Sequence, residues 1–450
     1  MKSKRCYGLL FSSAMLLPFI SGCSLFSTGS SKYRDPFAPE DVVDGLFYTV
    51  DEEGGYAIFN GIYDNLAFDR AYQNVKTFEV RSEYKGHPVK IIKDHALSAG
   101  ECSSIEKIII PPSVETIDDG AFFACQNIKE IVLNEGLKVI GNQAFFRNYD
   151  YALINFILPS SLTKIGFDAL PISKNVLTIP PSIEHLGNGC LRGNIFEDIY
   201  LPASLQEIGF NVFQDCTARS IVMSDEIRAI PREAFMWMHG VERIHLSNSL
   251  TLLPERALCS IQTTDPEDQG KVIEITGGEG IKTIKEEACM SMGIKRFPYS
   301  PVLETIEGER TMYYVGNRDF PSTLTYIASG AFRYLADDPG AIPAHYPSRL
   351  TYVPDKLFSG CNFAETSIIM WINDGASIGE EAFALSNLTA VEFHGTGIKI
   401  KDYAFYGCSE LESITYGGTS REFSAISKGK YWHEGVKATY VQCSDGMTMI

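Results

Sequence analysis

The sequence predicts a solenoid: a stack of about thirteen short coils, rich in parallel β-strand, with turns or helical corners between strands. Three observations predict it. A skeleton of apolar residues returns along the chain, one half of that skeleton has constant length, and the insertions fall in the other half.

The skeleton is clearest in Ile105, Ile108, Ile110, Val114, Ile117, Ala121 and Phe122. It returns at Ile128 (Ile131, Leu133, Leu137, Ile140, Ala144, Phe145), at Leu153 (Phe156, Leu158, Leu162, Ile165, Ala169, Leu170), and with Ile199, Leu201, Leu205, Ile208, Val212 and Phe213. Further copies centre on Ala234-Phe235, Ala257-Leu258, Ala331-Phe332, Leu357-Phe358, Ala382-Phe383 and Ala404-Phe405; weaker ones end at Ala96-Leu97, Cys190-Leu191 and Ala288-Cys289. From the last apolar residue of Ile-x-Ile to the small residue before Phe the offset is eleven, as in Ile110 to Ala121, Leu133 to Ala144 and Phe393 to Ala404. From one Phe position to the next the spacing breathes: 23 from Phe122 to Phe145, then 25 to Leu170 and 21 to Leu191. Residues inside a stack must align with their neighbours, whereas loops outside it need not.

Each element has a reason. Ile108-x-Ile110 alternates with period two, so it is a short strand with both isoleucines inward. Pro111, Pro159, Pro180, Pro202, Pro321 and Pro347 end that strand where a ladder donor is no longer needed. Val114 and Ile117 return to the core. Ala121 lets backbones approach at a corner, and Phe122 fills the wide end of the coil. A single coil exposes apolar faces above and below, so the array needs caps at both ends. One stretch is worn: residues 298–318 keep Val302 and Ile306 but lack the Ala-Phe pair, as in a decayed coil or an insertion. Asp265 to Gly270 and Asp337 to Gly340 fall where the ruler places loops.

The start of the chain reads as an address. Lys2, Lys4 and Arg5 precede an apolar run from Tyr7 to Ile20, which is short for a membrane span and suited to a signal peptide. It closes on Ile20-Ser-Gly-Cys23, similar to a bacterial lipobox, so Cys23 is the expected lipidation site. Ser24 to Glu40 is rich in Ser, Gly and Pro, like a tether. The organisation expected is a lipoprotein signal peptide at 1–22, a flexible tether at 23–40, an N-terminal cap at 41–79, the solenoid at 80–410 with its irregular stretch at 298–318, and a C-terminal cap at 411–450. The chain carries −17, and losing residues 1–22 removes three basic groups and no acidic one, giving −20. Such a surface repels phosphate backbones and anionic lipid. Nucleic acid is therefore not expected as a partner, and membrane contact is expected through the lipid alone.

With this skeleton the chain resembles the BspA-like leucine-rich-repeat family of bacterial surface proteins. The residues that carry the resemblance are Ile199 to Gly209 (Ile-Tyr-Leu-Pro-Ala-Ser-Leu-Gln-Glu-Ile-Gly) and Ala404-Phe-Tyr-Gly-Cys408. Gly45-Leu-Phe-Tyr-Thr-Val and Tyr84-Lys-Gly-His-Pro-Val-Lys-Ile-Ile are similar to the family's first strands; Tyr416-Gly-Gly-Thr, Trp432 and Val441-Gln-Cys-Ser-Asp-Gly446 are similar to its closing cap. The resemblance covers residues 45 to 446, with the worn stretch departing from it. It implies a leucine-rich-repeat solenoid, exposure at the cell surface and, in some members, adhesion to host proteins or other cells. It implies no shared catalytic residue.

Chemistry is sparse. Of eleven cysteines, Cys6 leaves with the signal and Cys23 is the lipid site. Cys125, Cys216, Cys361 and Cys408 each follow the Phe position by three, a packing choice for a small hydrophobe. No Cys-x-x-Cys occurs, so no zinc site is expected. Cys102 and Cys125 are the one adjacent-coil pair within reach, and packing is favoured over a bond between them. His87, His95, His185, His239, His245, His345, His394 and His433 form no metalloprotease spacing, and there is neither a nucleophile elbow nor a phosphate loop. Asp265, Glu267 and Asp268 read as a solvated loop before they read as a calcium site. No cofactor is expected.

The stronger signal is a surface. The residue between the two inward strand positions points outward. Down successive coils these are Ile109, Val132, Ile157, Thr178, Tyr200, Val222 and His245, then His345, Met370 and Glu392. The first seven carry no formal charge with His neutral. They form a candidate recognition strip, against the plain alternative that β-branched residues favour strands anyway. The expected function is non-catalytic interaction or adhesion, with a host or bacterial surface protein or glycan as partner, from the cell envelope. The rival is an envelope enzyme or the substrate-binding component of an uptake system, with a pocket at residues 298–318.

Overall fold

The structure is a computed structural model. It describes residues 42–63, 68, 71–97, 104–146, 153–262, 273–290, 297–311, 320–333, 345–346, 349–363, 367–370, 375–394 and 396–450. Residues 42–450 form one unit, a parallel-strand solenoid of about thirteen turns with little helix. Cys23, and with it the signal and tether, lies outside the described residues. The same holds for Cys102, for Asp265 to Gly270 and for Asp337 to Gly340.

A regular coil contributes two strands, not one. The first is the expected Ile-x-Ile strand, such as Lys107–Ile109, which pairs in parallel with Thr77–Glu79 and Glu130–Val132. The second was not expected. Thr116–Ile117, Val139–Ile140, Lys164–Ile165, His185–Leu186 and Glu207–Ile208 stack in parallel as another ladder. It forms because Ile117 and its equivalents are buried between polar neighbours, a two-residue piece of period two. Thr77–Glu79, placed in the N-terminal cap by sequence, is already a rung of the first ladder.

The corner forms a third ladder. The residue before each small corner residue is left-handed, with φ between 44° and 60° at His95, Gln143, Asp168, Asn211, Glu233, Arg256, Glu287, Arg310, Lys356, Glu381 and Tyr403. Such a conformation costs a non-glycine residue about 1–2 kcal/mol. Hydrogen bonds to the next coil offset it: Gln143 N donates to Phe167 O and Lys356 N to Glu380 O, both at 2.8 Å. Two residues further on, Phe122 N donates to Ala144 O, Phe358 N to Ala382 O and Phe383 N to Ala404 O. The phenylalanines then stack, Phe122 on Phe145 at 5.0 Å, Phe213 on Phe235 at 5.3 Å and Phe383 on Phe405 at 5.1 Å.

The two strand ladders are interrupted, and the interruptions coincide with prolines. The residue after a first strand can still donate, as Ser224 N does to Leu201 O (3.1 Å) and Gly417 N to Phe393 O (2.8 Å). The expectation that no donor is needed there was therefore wrong. Pro159, Pro180 and Pro202 cannot make that bond, and between Glu130–Val132 and Asp198–Leu201 the first ladder survives only as Val176–Leu177 on Ile195–Phe196 and isolated bridges. It is whole again through Asp198–Leu201, Ser220–Met223, Arg243–Leu246 and Glu274–Gly277. The second ladder behaves oppositely. Its strands end on a donating residue, as Gly166 N to Ile140 O, Gly209 N to Leu186 O and Lys285 N to Leu253 O. Pro231 and Pro254 take that position in successive coils, and the ladder stops after Glu207–Ile208 and resumes at Leu252–Leu253. Pro354 stands at a second stop, between Tyr326–Ile327 and Tyr352–Val353. Glycine at the donating position serves close stacking: a Cβ on Gly187 or Gly209 would overlap the backbone of the coil before it.

Two sequence assignments shift by one residue. Leu153 is exposed and Ile154 fills the core; Val302 is exposed and Leu303 packs inward with Ile306. Both shifts lie where a loop precedes the strand, so alternation reads equally well from either residue. The worn stretch is a coil through its corner. Thr305–Ile306 pairs on both sides, Arg310 is left-handed, and buried Thr311 takes the place of Ala, with Cys289 N donating to its carbonyl at 3.1 Å. Residues 312–319 lie outside the described residues.

At the N-terminal end Leu46–Val50 runs antiparallel to Ala57–Ile62, which pairs in parallel with His87–Ile92. Tyr48 stacks there between Phe59 (4.9 Å) and Tyr84 (5.3 Å). At the other end Tyr440–Cys443 pairs in parallel with Ser413–Tyr416 and antiparallel with Gly446–Met449. A helix at Ser420–Ala425, started by a Thr419–Glu422 capping box, buries Phe423 beside Trp432.

Candidate interaction face

Period two fixes which side chains leave the first strand outward. Ile109, Val132, Val222 and His245 are half-buried, Ile157, Thr178 and Tyr200 are exposed, and the residues flanking them are buried or face the core. The strip is not one continuous column. Ile109 stands opposite Val132. Tyr200, Val222, His245 and Thr276 stand in line on four successive strands, with His245 Nδ1 3.0 Å from Thr276 Oγ1. Ile157 and Thr178 lie between these runs, where the prolines have loosened the ladder. Further on, His345, Ile369 and Glu392 share a register. Met370 does not belong with them: it stands opposite Phe393 and Tyr346, both buried. By register, Ile369 and not Met370 occupies this column.

The loosened stretch and the strand that follows it carry much of the apolar exposure of this face. Relative exposure is 62% at Ile157, 57% at Val176, 52% at Tyr200, 47% at Leu153 and 42% at Ile195. Val176 and Ile195 are register partners, with their neighbours Leu177 and Phe196 inward. Sequence reasoning missed Leu153, Val176 and Ile195 because they precede the Ile-x-Ile strand. The signal available was period two carried backwards from Ile157, Thr178 and Tyr200.

Beyond Tyr200 the face turns polar. An open groove of about 370 Å³ runs over Ser220, Val222, Arg243, His245, Glu274 and Thr276. Asp198, one column over, receives Arg219 Nη2 at 2.8 Å and Ser220 Oγ at 2.6 Å, and Arg219 with Ser220 holds its carboxyl below the usual range. The face thus joins an apolar patch to a groove with both signs of charge.

The cysteines are interior. Cys190, Cys216, Cys259, Cys289, Cys361, Cys408 and Cys443 are all buried. Three of the four repeat-locked cysteines earn their position by a hydrogen bond: the thiols of Cys216, Cys361 and Cys408 donate to Leu191 O (3.1 Å), Phe332 O (2.9 Å) and Phe383 O (3.0 Å) of the coil before. Burial pushes the Cys216 thiol up to about 12 and those of Cys190 and Cys289 higher, which disfavours the thiolate a nucleophile needs. Cys125 is the exception, since it is disulfide-bonded. Packing alone was the wrong reading there, because chain distance hides which sulfurs meet. Among the described residues no group of three His, Cys, Asp or Glu is placed to hold a metal. His185 Nδ1 lies 3.2 Å from Glu207 Oε2, and His394 Nε2 lies 2.7 Å from Glu392 Oε1; both are surface pairs. No helix among the described residues is long and apolar enough to cross a membrane. In residues 298–311, the described part of the rival's pocket position at 298–318, Tyr299, Leu303 and Ile306 pack against the core.

Comparison with known proteins agrees with this geometry. A leucine-rich-repeat protein from Bacteroides ovatus is 16% identical, with TM-score 0.54 over 86% of this chain and 90% of its own. A leucine rich cell surface protein from Faecalibacterium prausnitzii is 15% identical over 86% of this chain and 97% of its own, with TM-score 0.36. At such identity the likeness to the Bacteroides protein concerns the fold alone. No curated protein sequence matches. The sequence profile of the BspA type leucine rich repeat region, in six copies, matches residues 90–175, 172–276, 196–314 and 313–427. The chain therefore belongs to the BspA-type leucine-rich-repeat family.

Proposed function

We propose that this protein is a non-catalytic surface module, tethered to the cell envelope by a lipid on Cys23, that binds a host or bacterial surface protein or glycan through its first-strand face. The carrying observation is the exposed apolar cluster of Leu153, Ile157, Val176, Ile195 and Tyr200 on one side of an otherwise acidic protein. Strand propensity accounts for the residue types but not for leaving so much apolar surface in water. The family and the description of the Faecalibacterium neighbour as a cell surface protein support the location. The antiparallel ends serve as caps, burying Tyr48 at one end and Phe423 and Trp432 at the other.

The test uses the soluble form, residues 41–450, in pull-downs against host extracellular proteins and whole bacterial cells. A Tyr200→Ala, Val222→Ser double variant removes no inward side chain. Its affinity for a captured partner should fall on the order of thirtyfold, about 2 kcal/mol. A folded double variant that binds as well as the parent would overturn this choice of face. For the anchor, Cys23→Ala should move the protein from the detergent phase to the aqueous phase; unchanged partitioning would refute lipidation.

A further inference from the structure

We infer that the coils between Ile208 and Leu253 form a joint at which the solenoid yields along its second-strand face. The reason is two missing protons. In ten described coils the residue closing the second strand donates its N–H to the coil before: Asp118, Gly141, Gly166, Gly187, Gly209, Lys285, Glu307, Ala328, Gly379 and Lys401 each do so at 2.7–3.0 Å. Pro231 and Pro254 have no N–H to give to Ile208 O and Ile230 O. The loss spreads. Gln206 N and Glu207 N both donate to Glu184 O, whereas neither Arg228 N, Ala229 N nor Ile230 N donates to any backbone carbonyl. The segment Arg228–Pro231 lies beside its neighbours without being tied to them, and an open groove of about 490 Å³ runs over Asn188, Glu207, Gly209, Ala229 and Pro231.

The other two ladders hold across the same coils. On the first face Asp198–Leu201, Ser220–Met223, Arg243–Leu246 and Glu274–Gly277 stay in register. At the corner Phe213 N donates to Ala234 O, Glu233 N to Glu255 O and Phe235 N to Ala257 O. Two ladders intact and one open leave one soft direction: coils fan on the second face while the first acts as the leaf of a hinge. That leaf carries Tyr200, Val222, His245 and Thr276, so bending changes the pitch of this column. Local softness of this kind follows from few backbone bonds in an exposed segment. The joint stands independently of whether that column binds a partner.

Two measurements test it on residues 41–450. In amide hydrogen exchange, Ala229 and Ile230 should exchange at least about tenfold faster than Glu207 and Gly209 in the same protein. Equal protection would overturn the joint. For motion, spin labels go on exposed positions of one column, each pair separated by three coils: Gln206→Cys with Lys282→Cys across the joint, and Lys138→Cys with Gln206→Cys along the unbroken ladder. The distance distribution should be clearly broader for the first pair, and equal widths would again overturn it. A Pro231→Gly, Pro254→Gly variant restores both donors and should slow exchange at Ala229 and Ile230 and narrow the first distribution. If it folds and changes neither, the prolines are not the cause. If it fails to fold, the two wild-type comparisons decide alone.

Discussion

Coils 153–213 and coils 220–262 are built on one skeleton and fail to pair on opposite faces. In the first group Pro159, Pro180 and Pro202 silence the donor after the first strand, and the second ladder, closed by Gly166, Gly187 and Gly209, runs unbroken. In the second group the donor after the first strand returns at Ser224, and the second ladder opens at Pro231 and Pro254. Cores and corners are the same in both: Ala169, Val212, Ala234 and Ala257 are all buried. The difference teaches that burial, not hydrogen bonding on any one face, keeps a coil in the stack. Backbone pairing is then free to vary and to decide which face stays open. The first group shows apolar side chains to solvent where its ladder is loose; the second keeps a paired, grooved, more polar face.

The largest expected effect tests the shared core. Phe213, fully buried and stacked on Phe235, lies where the two groups meet. Phe213→Ala should cost about 3–5 kcal/mol in denaturant melts. A loss close to zero would mean that the core does not unite the groups. Gly209→Ala comes next. Its Cβ would meet the backbone of Gly187 and Asn188, so about 1–3 kcal/mol should be lost through overpacking. Pro231→Ala at the equivalent position of the next coil should cost less. Equal losses would blur the contrast between a tight and an open second ladder.

Smaller effects sharpen the comparison. Tyr200→Ala should change stability by no more than about 0.5 kcal/mol, because the ring stands outward. A large loss would mean that inward and outward are reversed. The smallest concerns charge in the regular coils before residue 153. Glu115 bridges Lys138 at 2.7 Å and Lys90 at 2.9 Å, and these hold its carboxyl below the usual range, Lys138 the more. A depressed folded pKa adds stability above the ordinary carboxylate range and loses it as pH falls through the folded value. Glu115→Gln should therefore cost on the order of 0.5 kcal/mol near neutrality and nothing in strong acid. A gap that widens toward acid would contradict the sign.

Much of this was legible in the sequence, because it depends on residues close in the chain. The inward positions follow from period two and the eleven-residue ruler, and Ile108, Ile110, Val114, Ile117, Ala121 and Phe122 are buried as that pattern requires. The outward seven of the strip follow from the same alternation. Errors arose where a one-residue slip leaves the pattern almost as good. Leu153 against Ile154, Val302 against Leu303 and Met370 against Ile369 are all of this kind; burial settled the first two and register between coils the third.

Sequence by itself determined the repeat, the core and the place of every proline. Only the tertiary structure decided what those prolines do. Whether a missing N–H matters depends on the carbonyl facing it, twenty or more residues away on the neighbouring coil. The same holds for the second ladder, for the bonded state of Cys125 and for Thr311 standing in for alanine at a corner. Local periodicity says which way a side chain points. What it points at, and which backbone lies alongside, is fixed by the stacking of coils, and no residue carries that information alone.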